Sequence, residues 1–333
     1  MNRVDYRVGR IAGRVVGLLC VATGSFVCAS PFNAVFDINP ASSSLTVQAT
    51  AIGFSDSDTQ SLDGTINATF DFGVGGFGST AEVTITSATV APVADYNLAL
   101  GFPPIFGVAI TASDLVATVT TTSPPAVMNR TAAPGAQFTV SASRFPILVN
   151  QGTVVASGSV NQTINLADNP VSGTSPVAST ATVTFTTGAT SGPYTLLNAT
   201  LNLPVDVTDT FTTDGGVEVD LHLTATVVAQ ATFYAALNGV PGDFDDDSDV
   251  DGADLTFWKA GYGTTGSADP EDGDADADND ADGADFLVWQ RNLGIAPPAV
   301  PATSTAASVP EPGAAALSAA AIVTMLAVRR RKT

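Results

Sequence analysis

From about Phe36 to Tyr234 the chain alternates apolar and polar positions in short runs rich in Thr, Val and Ala, punctuated by Gly, Pro, Asn and Asp. Successive side chains of an extended strand point to opposite faces, so a period of two predicts strands with one buried and one wet face. The clearest runs are Ser44–Phe54, Thr65–Phe72, Ala81–Val90, Val108–Thr121, Gln137–Ser143, Thr180–Thr186 and Val217–Tyr234. Such runs recur at the spacing of antiparallel sandwiches or barrels, roughly ten to twelve strands in all, and no stretch here has a helical period. The expected fold is mostly β, with a large antiparallel sandwich-like domain over residues 34–237. The stretches Pro124–Pro134 and Asp168–Pro176 are its best internal breaks, but neither reads as a linker, so a single domain is expected.

The pattern changes after Ala236. Leu237–Pro241 leads into residues 240–294, where GDFDDDSDVDGADLTFWKAGYG, beginning at Gly242, is followed 31 residues later by GDADADNDADGADFLVWQRNLG. The two copies are identical at half of their positions. Each has an Asp-rich loop and then three apolar residues, Leu255, Trp258 and Tyr262 or Phe286, Trp289 and Leu293. Spacings of three and seven place each trio on one helical face, which predicts two loop-helix units whose faces meet in a small core.

Carboxylates stand at positions 1, 3, 5, 9 and 12 of each loop: Asp243, Asp245, Asp247, Asp251 and Asp254, then Asp274, Asp276, Asp278, Asp282 and Asp285. An EF-hand-type loop uses these positions to surround Ca²⁺ with hard oxygen ligands. Position 7, Asp249 or Asp280, is expected to add its main-chain carbonyl. Two Ca²⁺ sites follow, with Mg²⁺ a poor substitute because it prefers tighter octahedral geometry and fewer protein ligands. Without the ion, five like charges in one loop repel, and about fifty residues bury too little apolar surface to fold alone.

These ten loop carboxylates in register resemble the type I dockerin module. The resemblance covers residues 240–294 and implies a small α domain of two calcium loop-helix motifs that docks on a cohesin-like partner. The sequence departs from that pattern at position 6, where Ser248 and Asn279 stand for the turn glycine. It departs again at positions 10 and 11, where Gly252-Ala253 and Gly283-Ala284 offer a partner little side chain to grip.

The ends carry most of the positive charge. Arg3, Arg7, Arg10 and Arg14 precede an apolar stretch from Val15 to about Cys28, the layout of a secretory signal over residues 1–29. Both cysteines, Cys20 and Cys28, lie inside it, so a chain cleaved after Ala29 has no thiol chemistry. At the other end, Ile295–Val309 reads as a Pro, Ala, Thr and Ser linker. It leads to Pro310-Glu311-Pro312, an apolar run at 313–328 and the cluster Arg329–Lys332. A helix over 313–328 spans about 24 Å and predicts a transmembrane segment with its basic end cytoplasmic. The order tripeptide, apolar helix, arginine cluster resembles a PEP-CTERM sorting signal over residues 310–333. That resemblance implies exosortase recognition at the inner membrane of a bacterium with an outer membrane. It also implies delivery of the body to the cell surface or extracellular matrix.

The net charge of −20 repels phosphate backbones and excludes nucleic acid as a natural partner, while favouring divalent cations. The single histidine, His222, falls on the polar alternation of Val217–Tyr234 and reads as a solvated strand residue rather than a catalyst. Asp206, Asp209 and Asp214 invite comparison with a glycosidase carboxylate pair, but scattered Asp is common at strand ends. Both tryptophans lie in the Asp-rich repeat, which leaves the β region without the usual sugar-binding platform. The expected function is a non-catalytic exported surface or matrix protein; the alternative is a carbohydrate-binding or hydrolytic component of a polysaccharide-processing assembly.

Overall fold

The computed structural model describes residues 31–300, apart from 73–76, 78–79, 103–105, 132–135 and 214–215. The expected signal at 1–29 and the sorting segment at 310–333 therefore lie outside the described residues. Among the described residues, no helix is long and apolar enough to cross a membrane.

The alternating region forms one 14-stranded sheet, with every pairing antiparallel. Its strands in chain order are β1 (Phe32–Ile38), β2 (Ser44–Ala51), β3 (Phe54–Asp71), β4 (Thr80–Pro92), β5 (Tyr96–Phe102), β6 (Phe106–Val119) and β7 (Ala126–Arg130). There follow β8 (Ala136–Ser141), β9 (Ile147–Gly158), β10 (Gln162–Asn165), β11 (Val171–Gly173), β12 (Thr180–Ser191), β13 (Tyr194–Thr212) and β14 (Glu218–Ala235). The two stretches that looked like internal breaks contain β7 and β11, so both belong to the sheet.

Three strands set the architecture. β3, β13 and β14 are 18 or 19 residues long and run through two lobes that share one sheet. β1 and β2 lie end to end between β3 and β14: β1 pairs Thr65–Phe70 of β3, and β2 pairs Phe54–Ser61. Ser43, 2% exposed, bridges the interruption by accepting from Val228 N and donating to Val228 O.

Around β1 the sheet closes completely, in the order β1–β3–β4–β7–β8–β12–β13–β14 and back to β1 through Asp37↔Gln230. Closure removes free edges, so alternation here puts one face wholly inside a barrel. That interior is built on phenylalanine: Phe32, Phe36, Phe70, Phe72, Phe138 and Phe185 are all buried, with ring centroids 5.1 Å apart for Phe72–Phe185 and 5.3 Å for Phe70–Phe185. Where two facing sheets of a sandwich were expected, one sheet curls on itself.

Around β2 the second lobe is formed by β5, β6, β9, β10 and β11 facing the other halves of β3, β13 and β14, and its core is aliphatic apart from Tyr96 and half-buried Phe54 and Phe211. One of its seams is sealed by side chains instead of a ladder. Asp58 Oδ2 accepts from Asn97 N at 2.8 Å and Asp56 Oδ2 from Ala99 N at 2.7 Å, so two carboxylates of β3 satisfy the edge of β5. The hydrogen bond from Asn97 also holds the Asp58 carboxyl below its usual range. This explains the polar first half of β3, SDSDTQS, which carries no clean strand signal.

Candidate metal centre

The Asp-rich repeat folds into two loops, each ending in a helix, α1 (Asp254–Gly261) and α2 (Gly283–Asn292). Tyr262 and Leu293 fall just past the helices and are exposed, so the third member of each apolar trio lies outside the small core. What meets between the helices is Trp258 against Phe286, with ring centroids 5.1 Å apart, and Phe286 packs in turn on Trp289 of its own helix, at 5.4 Å.

The two loops share most of their wiring. Position 12 carries the tightest clamp: Asp254 Oδ1 accepts from Phe244 N (2.6 Å) and Asp245 N (3.4 Å), and its Oδ2 from Asp251 N (2.6 Å). Asp285 does the same for Ala275, Asp276 and Asp282, at 2.8, 3.2 and 2.7 Å. Position 1 holds the turn, since Asp243 accepts from Asp247 N and Ser248 N, and Asp274 from Ala277 N and Asn279 N. Asp247 and Asp278 cap the position-7 amides, while Asp251 and Asp282 cap the first amides of the helices. All four residues at positions 1 and 12 are buried.

This wiring curls the carboxylates inward. Ligand-capable oxygens of Asp243, Asp245 and Asp254, and of Asp249, Asp251 and Asp254, lie within 4.8 Å of one another in the first loop. Asp274, Asp276 and Asp278 form one such group in the second loop, and Asp280, Asp282 and Asp285 form another. Every residue expected to ligate is thus brought into its loop's cluster except Asp247, whose bond to Asp249 N nonetheless keeps it in the ring. Position 7 differs from expectation: besides its main chain, the side chains of Asp249 and Asp280 enter the clusters. Nothing in the sequence distinguishes that, because a carboxylate at position 7 reads the same whether it points in or out.

The oxygens are short of donors. Asp245 Oδ1, Asp249 Oδ1 and Asp280 Oδ1 are buried without any hydrogen-bond partner. A buried acceptor left unpaired costs free energy, and a cation would satisfy it. Burial first, and then the neighbouring charges of Asp247 and Asp254, push the Asp245 carboxyl up to about 6. Asp249, Asp274, Asp276 and Asp280 are raised in the same way, with desolvation the leading cause. The donor set therefore fits a hard cation: all oxygen, strongly anionic and mutually repelling without one.

The loops are also interlocked with each other and with the barrel. Trp258 Nε1 donates to Asp282 O (2.9 Å), and Trp289 Nε1 to Asp251 O (2.8 Å), so each helix anchors the other unit's loop at position 9. Gly242 and Gly273 make this possible, since a Cβ on either would sit 2.9 or 2.8 Å from the Cα of Trp289 or Trp258. Phe244, Val250, Ala275 and Trp289 share a core with Tyr194 and Ala236 at the end of β13 and β14. The Tyr194 hydroxyl donates to Ser248 O at 2.6 Å, and burial, helped by Asp243, Asp249 and Asp247, pushes its pKa up to about 12, keeping it a donor. The small core foreseen between the helices is thus completed by the β body.

At position 6, Ser248 and Asn279 adopt φ of 75° and 71°, the left-handed conformation that glycine takes at least cost. Asn tolerates it better than Ser. Ser248→Gly is therefore expected to stabilise the first loop by about 0.5–1 kcal/mol, read as a higher melting temperature of the repeat, whereas Ser248→Val should lower it.

In the β body, His222 Nε2 lies 2.8 Å from Asp206 Oδ1 with both side chains nearly half exposed, which agrees with a solvated strand pair. Asp209 Oδ1 accepts from Thr210 N, and Asp214 lies outside the described residues. Comparison of the chain with profiles of known families, with curated proteins and with solved structures finds no match in any of the three.

Proposed function

We propose that the protein is an exported, non-catalytic component of the cell surface or extracellular matrix in which two Ca²⁺ ions order a loop-helix pair against one end of a β barrel. The observation that carries this reading is the set of unpartnered buried oxygens on Asp245, Asp249 and Asp280, inside groups of carboxylates whose oxygens lie within 4.8 Å of one another. The first ion would be held by Asp243, Asp245, Asp247, Asp249, Asp251 and Asp254, the second by Asp274, Asp276, Asp278, Asp280, Asp282 and Asp285. Bound calcium supplies charge neutralisation and structure, and no chemical step. The reading as a dockerin-like interaction module with a cohesin-like partner, sorted through its tail by an exosortase, rests on sequence resemblance. The described aromatic side chains of the β body pack into its cores, which supports a surface role over sugar binding on an aromatic platform.

Calcium titration of residues 30–309, followed by Trp258 and Trp289 fluorescence and by helical circular dichroism, tests this directly. Two sites should fill and helix should form, with no response up to millimolar Ca²⁺ refuting the reading. Retention on envelope and matrix material should in turn require Ca²⁺ and be lost with chelator.

The pH dependence has a definite sign. The Asp245 carboxyl titrates near 6 in the fold and near 3.8 when unfolded, so its contribution to the metal-free fold is fully present below 3.8 and lost as pH rises through 6. The chelated protein should therefore be more stable at pH 5 than at pH 7.5. Calcium affinity should run the other way, rising from pH 5 to 7.5 as the ion stops competing with protons. Equal affinities at the two pH values would contradict the raised carboxyls.

A further inference from the structure

The second lobe encloses a cavity of about 700 Å³, and its walls are inconsistent with ordinary core packing. Along β14 the odd-numbered residues from Val219 to Ala235 all face inward. Those in the closed barrel, from Val227 on, are buried, whereas Leu221, Leu223 and Ala225 on the same face are only half-buried. β13 changes in a similar way, from buried Leu197, Ala199, Leu201 and Leu203 to half-buried Val205 and Phe211, with Val207 between them still buried. Solvent-sized space thus fills the aliphatic interior of this lobe and extends to the adjoining aliphatic end of the barrel core, at Leu62, Ile66 and Val227, but stops short of the barrel's phenylalanines.

The space persists because its walls cannot close. β3, β13 and β14 are fixed in position by the barrel they also build, and the covering strands are spaced from them by the Asp56 and Asp58 bonds at one seam. At the other seam the outer edge of β13 is unpaired beyond Asn202, which pairs with Thr182 of β12. There Ser175 Oγ spans to β11, accepting from Asp206 N and donating to Pro204 O. Beyond that bridge β10 does not pair with β13, and the cavity opens between Gln162, Thr163 and Asn169 on one side and Asp209, Thr210 and Thr212 on the other.

We propose that this cavity is a binding site for an uncharged aliphatic molecule with a small polar head, such as a medium-chain alcohol or a neutral ester of one. Its volume lies within the range of small-molecule sites, and apolar voids favour apolar guests over water. Phe211 is the only aromatic side chain in the lining, so flat aromatic ligands find little to stack on. The mouth offers amides and hydroxyls; among the described residues no Lys, Arg or His lines the site, and Asp209 is its one charge. A carboxylate head would meet Asp209 without a countercharge on a chain of net charge −20. The site is separate from the Asp loops and does not depend on calcium chemistry.

The test uses the full chain and tritiated 1-dodecanol in equilibrium dialysis, with unlabelled competitors. Saturable one-to-one binding is expected, reversed by unlabelled 1-dodecanol and at least tenfold less well by dodecanoate. Leu223→Trp and Ala225→Phe each fill half-buried space, so binding should fall at least tenfold while the melting temperature stays level or rises; two variants guard against misfolding of one. Asp209→Lys should bring dodecanoate to parity with dodecanol. Absence of saturable binding, equal competition by dodecanoate in the unmodified chain, or undiminished binding in the folded filling variants each overturns the proposal.

Discussion

Asp254→Ala is expected to abolish cation binding by the first loop and to unravel it. The carboxylate is fully buried and accepts from three main-chain amides while belonging to both oxygen clusters of that loop. Each buried donor left orphaned costs about 1–3 kcal/mol, and the lost ligand adds to that. The damage should spread, because Trp289 of α2 is tied to Asp251 O and packs on Phe244 and Val250. Calorimetric titration should therefore show the calcium stoichiometry fall from two to about one, with the remaining site weakened. Asp254→Asn should be intermediate, since its amide oxygen can still accept but its NH₂ faces the Asp251 N–H. Two sites of unchanged affinity in Asp254→Ala would refute the assignment of Asp254 as the loop's clamp.

Phe185→Ala should produce the largest loss in the β body, about 3–5 kcal/mol. Its ring is 1% exposed and lies 5.1–6.1 Å, centroid to centroid, from those of Phe70 on β3, Phe72 and Phe77 beyond it and Phe138 on β8, so the deletion opens a void that these neighbours cannot all relax into. Against total stabilities of about 5–15 kcal/mol, that removes a third or more. Urea unfolding followed by circular dichroism measures it. Because Tyr194 and Ala236 carry the loop core, calcium affinity should fall with the barrel. A loss below about 1 kcal/mol would mean the closed barrel is not packed as described. Leu223→Ala, in the walls of the open lobe, is the contrasting case and should cost far less, since that side chain already borders empty space.

Much of this was written in the alternation. β2, β4, β6, β8, β12 and β14 stand where period-two runs place them, because one face of each is buried and the other wet. β10 and β11 are short, with half-buried or exposed side chains, and give no such signal. The first half of β3 fails for a different reason: Asp56 and Asp58 work as hydrogen-bond acceptors for β5, so both faces read as polar. The loops were legible almost residue by residue, since a cation site is local and its ligands are spaced by one turn of chain. The side-chain role of Asp249 and Asp280 and the exposure of Tyr262 and Leu293 were not, because each depends on how the second unit and the β body pack.

The sequence by itself determined where the alternating runs form strands, where the β body stops, and which twelve aspartates gather in two loops. Those are short-range properties, set by side-chain alternation, turn chemistry and ligand spacing. Tertiary structure alone decided that the strands close into one barrel and leave a second lobe open. It alone decided that each tryptophan anchors the opposite loop and that Tyr194 ties the repeat to the sheet. Strand pairing and cavity volume come from contacts between residues distant in the chain, and the hydrophobic pattern is the same whether the face it buries meets phenylalanine or empty space.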